Sequence, residues 1–581
     1  MDSTRSIGDA MARASSDAPA AEIDGGAVVA RVLREHGVDV CFALNGGHIW
    51  PILRHLRDNG VRMIHMRHEQ SCAYAADAYA RTSRRPGVLA VTAGCGLTNA
   101  VTGLCVAHLA GSAVVCLAGQ HPVVEDGVGS FQEAYGTEIC GSFTKSTKRV
   151  LDWSTIGRDV RAAFRAAQAW PVGPTLVEIP TNILYQQGAP ARQRPGAQMF
   201  DPDRMRGLAD PAAVDAALDR LAAAERPLIV AGDGVFWSDA AAELRALAEH
   251  LTVPVYSRRA GQGALPEDHA LAVRGTWKKP FTSRADVVLT IGFRFWSGEH
   301  FGEPPTWAAD ATYIQLDAMP LRIGAHVDAQ IALVGDPKLV LRQLLDAAVA
   351  RGIAAGPRRQ GPWLEEVGTV RRRFDEARRA QEASVHAAHP IHPARLVREL
   401  VEVLDRDATV VVDSFTLSGW LSDWLHVRFP GQVIDAGPLA PVGHGIGMGI
   451  GAALARPGKP IVVVIGDGGL GIGGMEIETA LRCKLPLVTL VWNNSSWGPS
   501  FDQMPMLRGH VDPFDMLPDL RYDRMFEAIG CHGEHVERAD DIRAALERAF
   551  GAGKASVVNV IGDAGVGHPR LGGNLLGSTK L

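Results

Sequence analysis

The stretch over residues 461–494 constrains the fold of this chain more than any other. Residues 461–465 read Ile-Val-Val-Val-Ile, and a β-branched run without polar alternation predicts a strand buried on both faces. The run ends in Gly-Asp-Gly-Gly at 466–469, a helical pattern follows, and a second apolar run ends in Asn493-Asn494. Asp467 and Asn494 are 27 residues apart (494 minus 467), about one strand–helix–strand unit. Because right-handed crossovers bring parallel strand ends to one sheet edge, their oxygens should meet there and suit Mg²⁺.

Strand-like and helix-like segments alternate along the chain and predict an α/β protein of three domains, each with a parallel sheet. The predicted domains span residues 23–185, 207–350 and 391–561, and the linkers between them are rich in Pro, Gly and Arg or in charged residues. Residues 1–22, rich in Ala, Ser and Asp, are expected to be a disordered leader. Residues 562–581 form a glycine-rich tail.

Composition excludes several classes of partner. The chain is 46% hydrophobic and 21% charged, as in globular proteins, and its net charge of −5 gives no reason to expect nucleic acid or an anionic membrane. The uncharged stretch over residues 86–124 is broken by Gly, Thr, Asn and His, so it does not predict a membrane span. The eight cysteines form no CxxC pair and are expected to be reduced core residues. The expected location is the cytoplasm.

The GDG…NN pattern resembles the diphosphate motif of thiamine-diphosphate enzymes, the family of acetolactate synthase, benzaldehyde lyase, oxalyl-CoA decarboxylase and 2-hydroxyacyl-CoA lyase. The resemblance implies thiamine diphosphate and Mg²⁺ as cofactors. It implies that the side chains of Asp467 and Asn494 and the carbonyl of Ser496 hold the metal. It also implies pyrimidine-binding, middle and diphosphate-binding domains in that order. Another Gly-Asp-Gly, at 232–234, has Ala260 where the Asn pair should stand, so we expect a structural turn there.

Glu69 is predicted to be the catalytic carboxyl group. It follows a strand-like segment and precedes an Ala-rich helix. By itself, this position is better explained by the favourable interaction of a Glu with the dipole at a helix N-terminus. In the family, a Glu at the matching His-Glu position hydrogen-bonds the pyrimidine ring and acts in the site of a neighbouring subunit. The resemblance therefore implies this role for Glu69, in a homodimer or homotetramer with shared active sites.

Two other segments of the first domain are candidate substrate contacts by resemblance. The turn at residues 45–48 is similar to a turn of benzaldehyde lyase that carries an active-site His, which implies Asn45 and Gly46 beside the cofactor and His48 as a proton relay. The Phe-Gln-Glu segment at 131–133 resembles one that places a Gln, here Gln132, over the reacting carbon. The alternatives are a hydrogen-bonded turn His and an exposed loop. His121 is a further candidate for the active site, but because Pro122 follows it, a role in a turn explains it equally well.

The third domain supplies the remaining cofactor contacts that the resemblance implies. Ser414 and Phe415 follow the predicted strand at 409–412, and His444 lies in a Gly-His-Gly turn. Val442 takes the place of the bulky residue under the cofactor, where relatives often carry Met or Ile. In the turn that follows the strand at 461–465, Gly466, Gly468 and Gly469 are expected to let the diphosphate approach the backbone closely.

The substrate stays open between three possibilities. The resemblance is greatest to 2-hydroxyacyl-CoA lyase, which cleaves or forms a 2-hydroxyacyl-CoA from formyl-CoA and an aldehyde or ketone. The alternatives are a carboligase or decarboxylase of free 2-oxo acids and oxalyl-CoA decarboxylase. The tail resembles the C-terminal lid of CoA-using relatives, and its Arg570 and Lys580 are candidate contacts of CoA phosphates. The basic pairs at 258–259 and 278–279 are either nucleotide contacts or plain surface charge.

Overall fold

A computed structural model describes residues 21–194, 205–353, 357–498 and 514–569. It contains three six-stranded parallel sheets, one in each predicted domain, with helices packed against them. The predicted α/β architecture with three parallel sheets is confirmed. The run at residues 461–465 is at most 1% exposed throughout, as expected for a central strand covered by helices on both faces.

The N-terminal sheet has the strand order β3-β2-β4-β5-β7-β6, and an antiparallel pair, β1 and β8, lies beside it. Its strands are β1 (Ile23–Asp24), β2 (Val40–Ala43), β3 (Arg62–His65), β4 (Gly87–Val91), β5 (Val114–Gln120), β6 (Ser146–Arg149), β7 (Thr175–Pro180) and β8 (Gln187–Gly188). Its helices are α1 (Gly25–Glu35), α2 (Trp50–Leu56), α3 (Glu69–Ser83), α4 (Cys95–Ala110), α5 (Gly136–Cys140), α6 (Ile156–Gln168) and α7 (Thr181–Leu184).

The middle sheet has the strand order β11-β10-β9-β12-β13-β14. Its strands are β9 (Pro227–Ala231), β10 (Val255–Ser257), β11 (Ala272–Val273), β12 (Val287–Ile291), β13 (Thr312–Asp317) and β14 (Ile331–Val334). Its helices are α8 (Pro211–Ala223), α9 (Asp233–Trp237), α10 (Ala241–Leu251), α11 (Lys279–Thr282) and α12 (Pro337–Ala350). The segment predicted as the second linker forms the long helix α13 (Pro357–Val385), which buries Trp363 and Val367 against the middle domain.

The C-terminal sheet has the strand order β16-β15-β17-β18-β20-β19. Its strands are β15 (Thr409–Asp413), β16 (Val433–Ile434), β17 (Ile461–Gly466), β18 (Leu487–Asn493), β19 (His532–Val536) and β20 (Ser556–Ile561). Its helices are α14 (Pro393–Val403), α15 (Phe415–Trp424), α16 (Gly445–Ala455), α17 (Asp467–Gly473), α18 (Glu476–Arg482), α19 (Tyr522–Glu527) and α20 (Ile542–Gly551). Residues 570–581, with the predicted tail contacts Arg570 and Lys580, and the predicted leader up to residue 20 lie outside the described residues.

Helices α3 and α16 join the N-terminal and C-terminal domains of one chain into a single apolar core. The join needs glycine, because a Cβ added to Gly451 would lie 2.1 Å from the carbonyl oxygen of Ala75. Beside it, the Glu476 carboxylate accepts the backbone N–H groups of Arg67 (2.9 Å) and His68 (3.1 Å). The C-terminal domain therefore fixes the backbone immediately before Glu69.

The structure bears on the predictions about membrane spans and about the cysteines. Among the described residues, no helix is long and apolar enough to span a bilayer. All eight cysteines are unpaired, and five of them are buried as expected. The core assignment is wrong for the other three, because Cys95 is exposed and Cys105 and Cys483 are only partly covered.

Candidate active site in two halves

A cavity of about 430 Å³ lies at the carboxyl edge of the C-terminal sheet, over the ends of β15, β17 and β18. Residues Gly466 and Trp492 pair across β17 and β18, so Asp467 and Asn494 stand at matching strand ends. The cavity is lined by every C-terminal residue that the sequence singled out: Ser414, Phe415, Val442, His444, Gly466, Asp467, Gly468, Gly469, Asn494 and Ser496. We call this cavity the cofactor half-site.

The oxygen atoms of the cofactor half-site fit a magnesium ion. Asp467 is 2% exposed, its Oδ1 accepts the N–H of Gly468 (2.9 Å), and its buried Oδ2 has no hydrogen-bond partner. Burial raises the pKa of this carboxyl group to about 6. Asn494 donates its amide N–H to the carbonyl of Gly498 (2.8 Å), so the amide oxygen is its remaining acceptor. A buried, unpaired carboxylate oxygen beside an amide oxygen is the kind of donor set that a hard cation satisfies.

The structure explains why glycine occupies three positions of the turn at 466–469, and part of the explanation was not predicted from the sequence. A Cβ on Gly466 would meet open space, as expected beside a ligand. A Cβ on Gly468 would lie 2.6 Å from the Trp497 ring, and one on Gly469 would lie 2.9 Å from the Ile465 side chain. Close protein packing, in addition to any ligand, therefore requires glycine at these two positions.

The loop that carries Val442 and His444 is held by Asp413. The Asp413 carboxylate accepts the N–H groups of Gly443 (3.2 Å) and Gly445 (2.7 Å), and burial raises its pKa. The His444 ring lies within 2.6 Å of the Pro441 carbonyl oxygen and 3.0 Å of the Val412 carbonyl oxygen. These contacts fix the ring against its own loop, while Val442 remains 40% exposed at the cavity.

Glu69 opens helix α3 and is 5% exposed. Its Oε2 accepts a hydrogen bond from the side-chain amide of Asn99 (3.0 Å), on helix α4. Helix α3 begins here because the ring of His68 caps it, accepting the N–H of Gln70 (3.1 Å). Sequence reasoning missed the role of Asn99, although the Gly-rich turn before it marked the start of a helix. The carboxyl group is thus aimed by two helices.

A second cavity, of about 440 Å³, lies at the carboxyl edge of the N-terminal sheet, and we call it the substrate half-site. It is lined by Asn45, Gly46, Gly47, His48, Thr92, Phe131, Gln132, Thr181 and Tyr185. The structure therefore brings the predicted His48 and Gln132 together with Asn45 and Gly46. Thr92 and Tyr185 were not anticipated, because each lies at the end of a strand or helix without any motif.

Local contacts determine the protonation of His48 and the orientation of the Gln132 amide in the substrate half-site. The Nδ1 of His48 lies 3.1 Å from the Thr92 hydroxyl oxygen, and burial, with repulsion from His121, lowers the pKa of His48. Gln132 has a left-handed backbone (φ 59°) and its amide N–H points to the sulfur of Cys95 (3.2 Å). A neutral imidazole and an amide are therefore presented to the cavity.

His121 and one residue of each basic pair, Arg259 and Lys278, are engaged in internal contacts. His121 is fully buried, and its ring nitrogens lie 2.6 Å from Gln120 Oε1 and 2.6 Å from Asp126 Oδ1. In the middle domain, Arg259 pairs with Asp233 (3.3 Å), the acid of the first Gly-Asp-Gly, and Lys278 pairs with the buried Glu299. The surface-charge interpretation is therefore wrong for Arg259 and Lys278.

The two half-sites of one chain do not form one cavity. Their linings share no residue, and the exposed Phe131 lies at the mouth of the substrate half-site. In a single chain, the two half-sites are therefore separate open cavities.

Three segments of the chain, which together make up more than half of it, match family models of thiamine pyrophosphate (thiamine diphosphate) enzymes. Residues 23–139 match the N-terminal binding domain, residues 214–344 the central domain and residues 416–560 the C-terminal binding domain. Each matched segment contains most of one of the three parallel sheets. The domain order implied by the resemblance is the order found.

Relatives of known name extend over nearly the full length. A probable acetolactate synthase of Mycobacterium bovis is 34% identical over 557 residues, covering 95% of this chain and 98% of the relative. A 2-hydroxyacyl-CoA lyase of Arabidopsis thaliana is 29% identical over 557 residues, covering 93% and 96%. The chain therefore belongs to the thiamine pyrophosphate enzyme family and depends on thiamine diphosphate.

Proposed function

We propose that the chain is a thiamine-diphosphate- and Mg²⁺-dependent enzyme that cleaves or forms a carbon–carbon bond next to a carbonyl group. The observation that carries the proposal is the buried, unpaired Oδ2 of Asp467 beside Asn494 in a cavity at the sheet edge. Asp467, Asn494 and the Ser496 carbonyl would hold the metal. When bound, thiamine diphosphate supplies a carbon nucleophile for carbonyl groups.

The residues of the N-terminal domain then have distinct roles. Glu69, oriented by Asn99, would supply the carboxyl group that hydrogen-bonds the pyrimidine ring and promotes proton transfer there. His48, kept neutral by burial, exchanges a proton with the substrate oxygen. Gln132 would present its side-chain amide to the substrate from the lining of the substrate half-site. All three residues would act by orienting groups and moving protons.

The complete active site is proposed to form between two copies of the chain. Phe131 (77% exposed) lines the substrate half-site, and Val124 (84%) and Val128 (75%) are exposed in the loop that leads to it. Next to the cofactor half-site, Ile472 (55%) and Met475 (50%) are exposed. Large apolar side chains in such numbers are typical of surfaces that a partner covers. A homodimer that joins unlike half-sites, or a tetramer of such dimers, would bury them.

For the substrate, we propose a 2-hydroxyacyl-CoA that is cleaved to, or formed from, formyl-CoA and a neutral aldehyde or ketone. Among the described residues, neither half-site lining contains Lys or Arg. Arg259 approaches the cofactor half-site behind Gly437, but it is paired with Asp233. Within these linings, the carboxylate of an anionic acceptor would meet no cation, whereas a neutral carbonyl compound needs none.

The second candidate is an acetolactate synthase acting on free 2-oxo acids. The 34% identity to a probable acetolactate synthase favours it. The internal pairing of Arg259 and Lys278 also removes two of the proposed contacts of a CoA nucleotide. The two candidates differ in the second substrate, which is neutral in the first and anionic in the second.

Product analysis by mass spectrometry separates the candidates. The purified protein with thiamine diphosphate and Mg²⁺ is given formyl-CoA and a panel of aldehydes and ketones, and in parallel pyruvate alone. We expect 2-hydroxyacyl-CoA in the first reaction; acetolactate from pyruvate without 2-hydroxyacyl-CoA would establish the second candidate. Glu69→Gln should bind thiamine diphosphate in calorimetry but turn over at least 100-fold more slowly, and unchanged turnover would refute its role.

A further inference from the structure

Two helices of this chain begin at a half-site and end on the middle domain. Helix α15 begins at Phe415, and its cap Ser414 and first-turn residues line the cofactor half-site. Helix α4 begins at Cys95, which contacts Gln132, and carries Asn99, which holds Glu69. The carbonyl groups at the far ends of both helices are bound by arginine side chains of the middle domain.

At α15, one guanidinium group binds three carbonyl oxygens. Arg274, 3% exposed and immediately after β11, donates from Nη1 to Asp423 (3.1 Å) and from Nη2 to Ser422 (2.7 Å) and Leu425 (2.6 Å). Glu267 lies 3.2 Å from its Nε and also accepts the N–H of Val427 (3.1 Å). The last carbonyls of a helix lack partners within the helix, so a buried end requires such donors.

At α4, two guanidinium groups bind one carbonyl. Arg259 and Arg294 each donate from Nη2 to the carbonyl oxygen of Leu109, at 2.9 and 2.8 Å. Both are paired with Asp233, at 3.3 and 2.6 Å. The middle domain therefore binds the carbonyl ends of two helices whose opposite ends lie at the half-sites.

We propose that the middle domain positions both half-sites through these helix ends, and that Arg274 is the positioning residue for the cofactor half-site. Besides Arg274, Arg378 of helix α13 donates to one of these carbonyls, that of Asp423 (2.9 Å), and the body of helix α15 is packed by apolar side chains such as Leu417 and Trp420. Apolar contacts are non-directional and restrain sliding along the helix axis weakly, whereas a planar fork on three carbonyls fixes axial position and rotation. A ten-residue helix is about 15 Å long and rigid, so its first turn follows its last. The proposal rests on the cofactor site proposed above.

The test compares Arg274→Met with Arg274→Lys and a matched control. Lys145 also binds the carbonyl end of a helix, through Ala166 and Ala169 of the α6 end, but α6 begins at neither half-site. Lys145→Met therefore removes the same kind of contact elsewhere. Titration calorimetry with thiamine diphosphate and Mg²⁺ should give a Kd at least ten-fold higher for Arg274→Met, about three-fold higher for Arg274→Lys and within two-fold of wild type for Lys145→Met.

A second measurement does not depend on the cofactor. Hydrogen exchange in the cofactor-free protein should be faster in the first turn of α15 in Arg274→Met, and unchanged there in Lys145→Met. Unchanged affinity and exchange in Arg274→Met, or equal weakening by the control, would overturn the positioning role. If Arg274→Met does not fold, Arg274→Lys gives the same comparison. Absence of binding by wild type would overturn the cofactor assignment instead, and exchange in α15 would still decide the positioning.

Discussion

Glu178 should make the stability of this protein fall as the pH rises from 5 to 8. It lies on β7, is 1% exposed, and accepts hydrogen bonds from the side chain of Gln120 (3.0 Å) and the N–H of Thr137 (3.0 Å). Burial raises the pKa of this carboxyl group from 4.5 to about 7. Glu178 thus lies beneath the segment that carries Gln132, and its ionisation is unfavourable in the folded state.

The size of the effect follows from proton linkage. The folded state holds the proton more tightly than the unfolded state, so the stabilisation is complete below the unfolded pKa and is lost as the pH rises through the folded pKa. The interval from 4.5 to about 7, at roughly 1.4 kcal/mol per pH unit, sets a ceiling of about 3 kcal/mol. Between pH 5 and pH 8, the expected loss is about 2.5 kcal/mol.

Denaturant unfolding of wild type and Glu178→Gln at pH 5 and pH 8 measures this loss. Gln cannot ionise, so its free energy of unfolding should gain about 2.5 kcal/mol relative to wild type over that range. Glu125→Gln is the control, because Glu125 is exposed, lies in the loop before the same segment and is not among the charges that act on Glu178. Equal pH dependence of wild type and Glu178→Gln, or the same change in the control, would refute the reasoning.

Three further predictions concern the half-sites. Gly94→Ala should lower the rate at least ten-fold and the unfolding temperature by several degrees. The reason is that Gly94 has φ 57° and that a Cβ there would lie 2.5 Å from the Gln132 carbonyl oxygen. Activity and thermal-unfolding measurements check this prediction, and wild-type values would contradict it. Asp467→Asn should abolish Mg²⁺-dependent binding of thiamine diphosphate in calorimetry and yet raise the unfolding temperature of the cofactor-free protein at pH 8, because a buried unpaired charge is removed; retained binding would exclude Asp467 as a ligand. In wild type, kcat/KM should fall on the acid side at a pH below 6.5, the ordinary pKa of His, because the pKa of His48 is lowered. His48→Gln should remove this fall, and an unchanged pH–rate profile would argue against a proton relay.

The sequence was most informative about site residues whose positions are set by neighbouring strands and the turns between them. The spacing of Asp467 and Asn494 was enough to place them at one edge, because β17 and β18 are neighbours joined by one crossover. For the same reason, the turn with His48 and the segment with Gln132 were recognisable as strand-end loops. Asn99 and Thr92 escaped notice because their partners, Glu69 and His48, are 30 and 44 residues away.

The amino-acid sequence by itself determined the three parallel sheets, the polar residues at their carboxyl edges and the family, because buried β-branched runs and glycine turns specify local structure. Only the tertiary structure decided that Asp467 keeps an unpaired oxygen, that the two half-sites of one chain stay apart, and that Arg274 binds the end of α15 about 150 residues away. Those features arise from packing between domains, and packing depends on how distant surfaces fit, which no local pattern encodes.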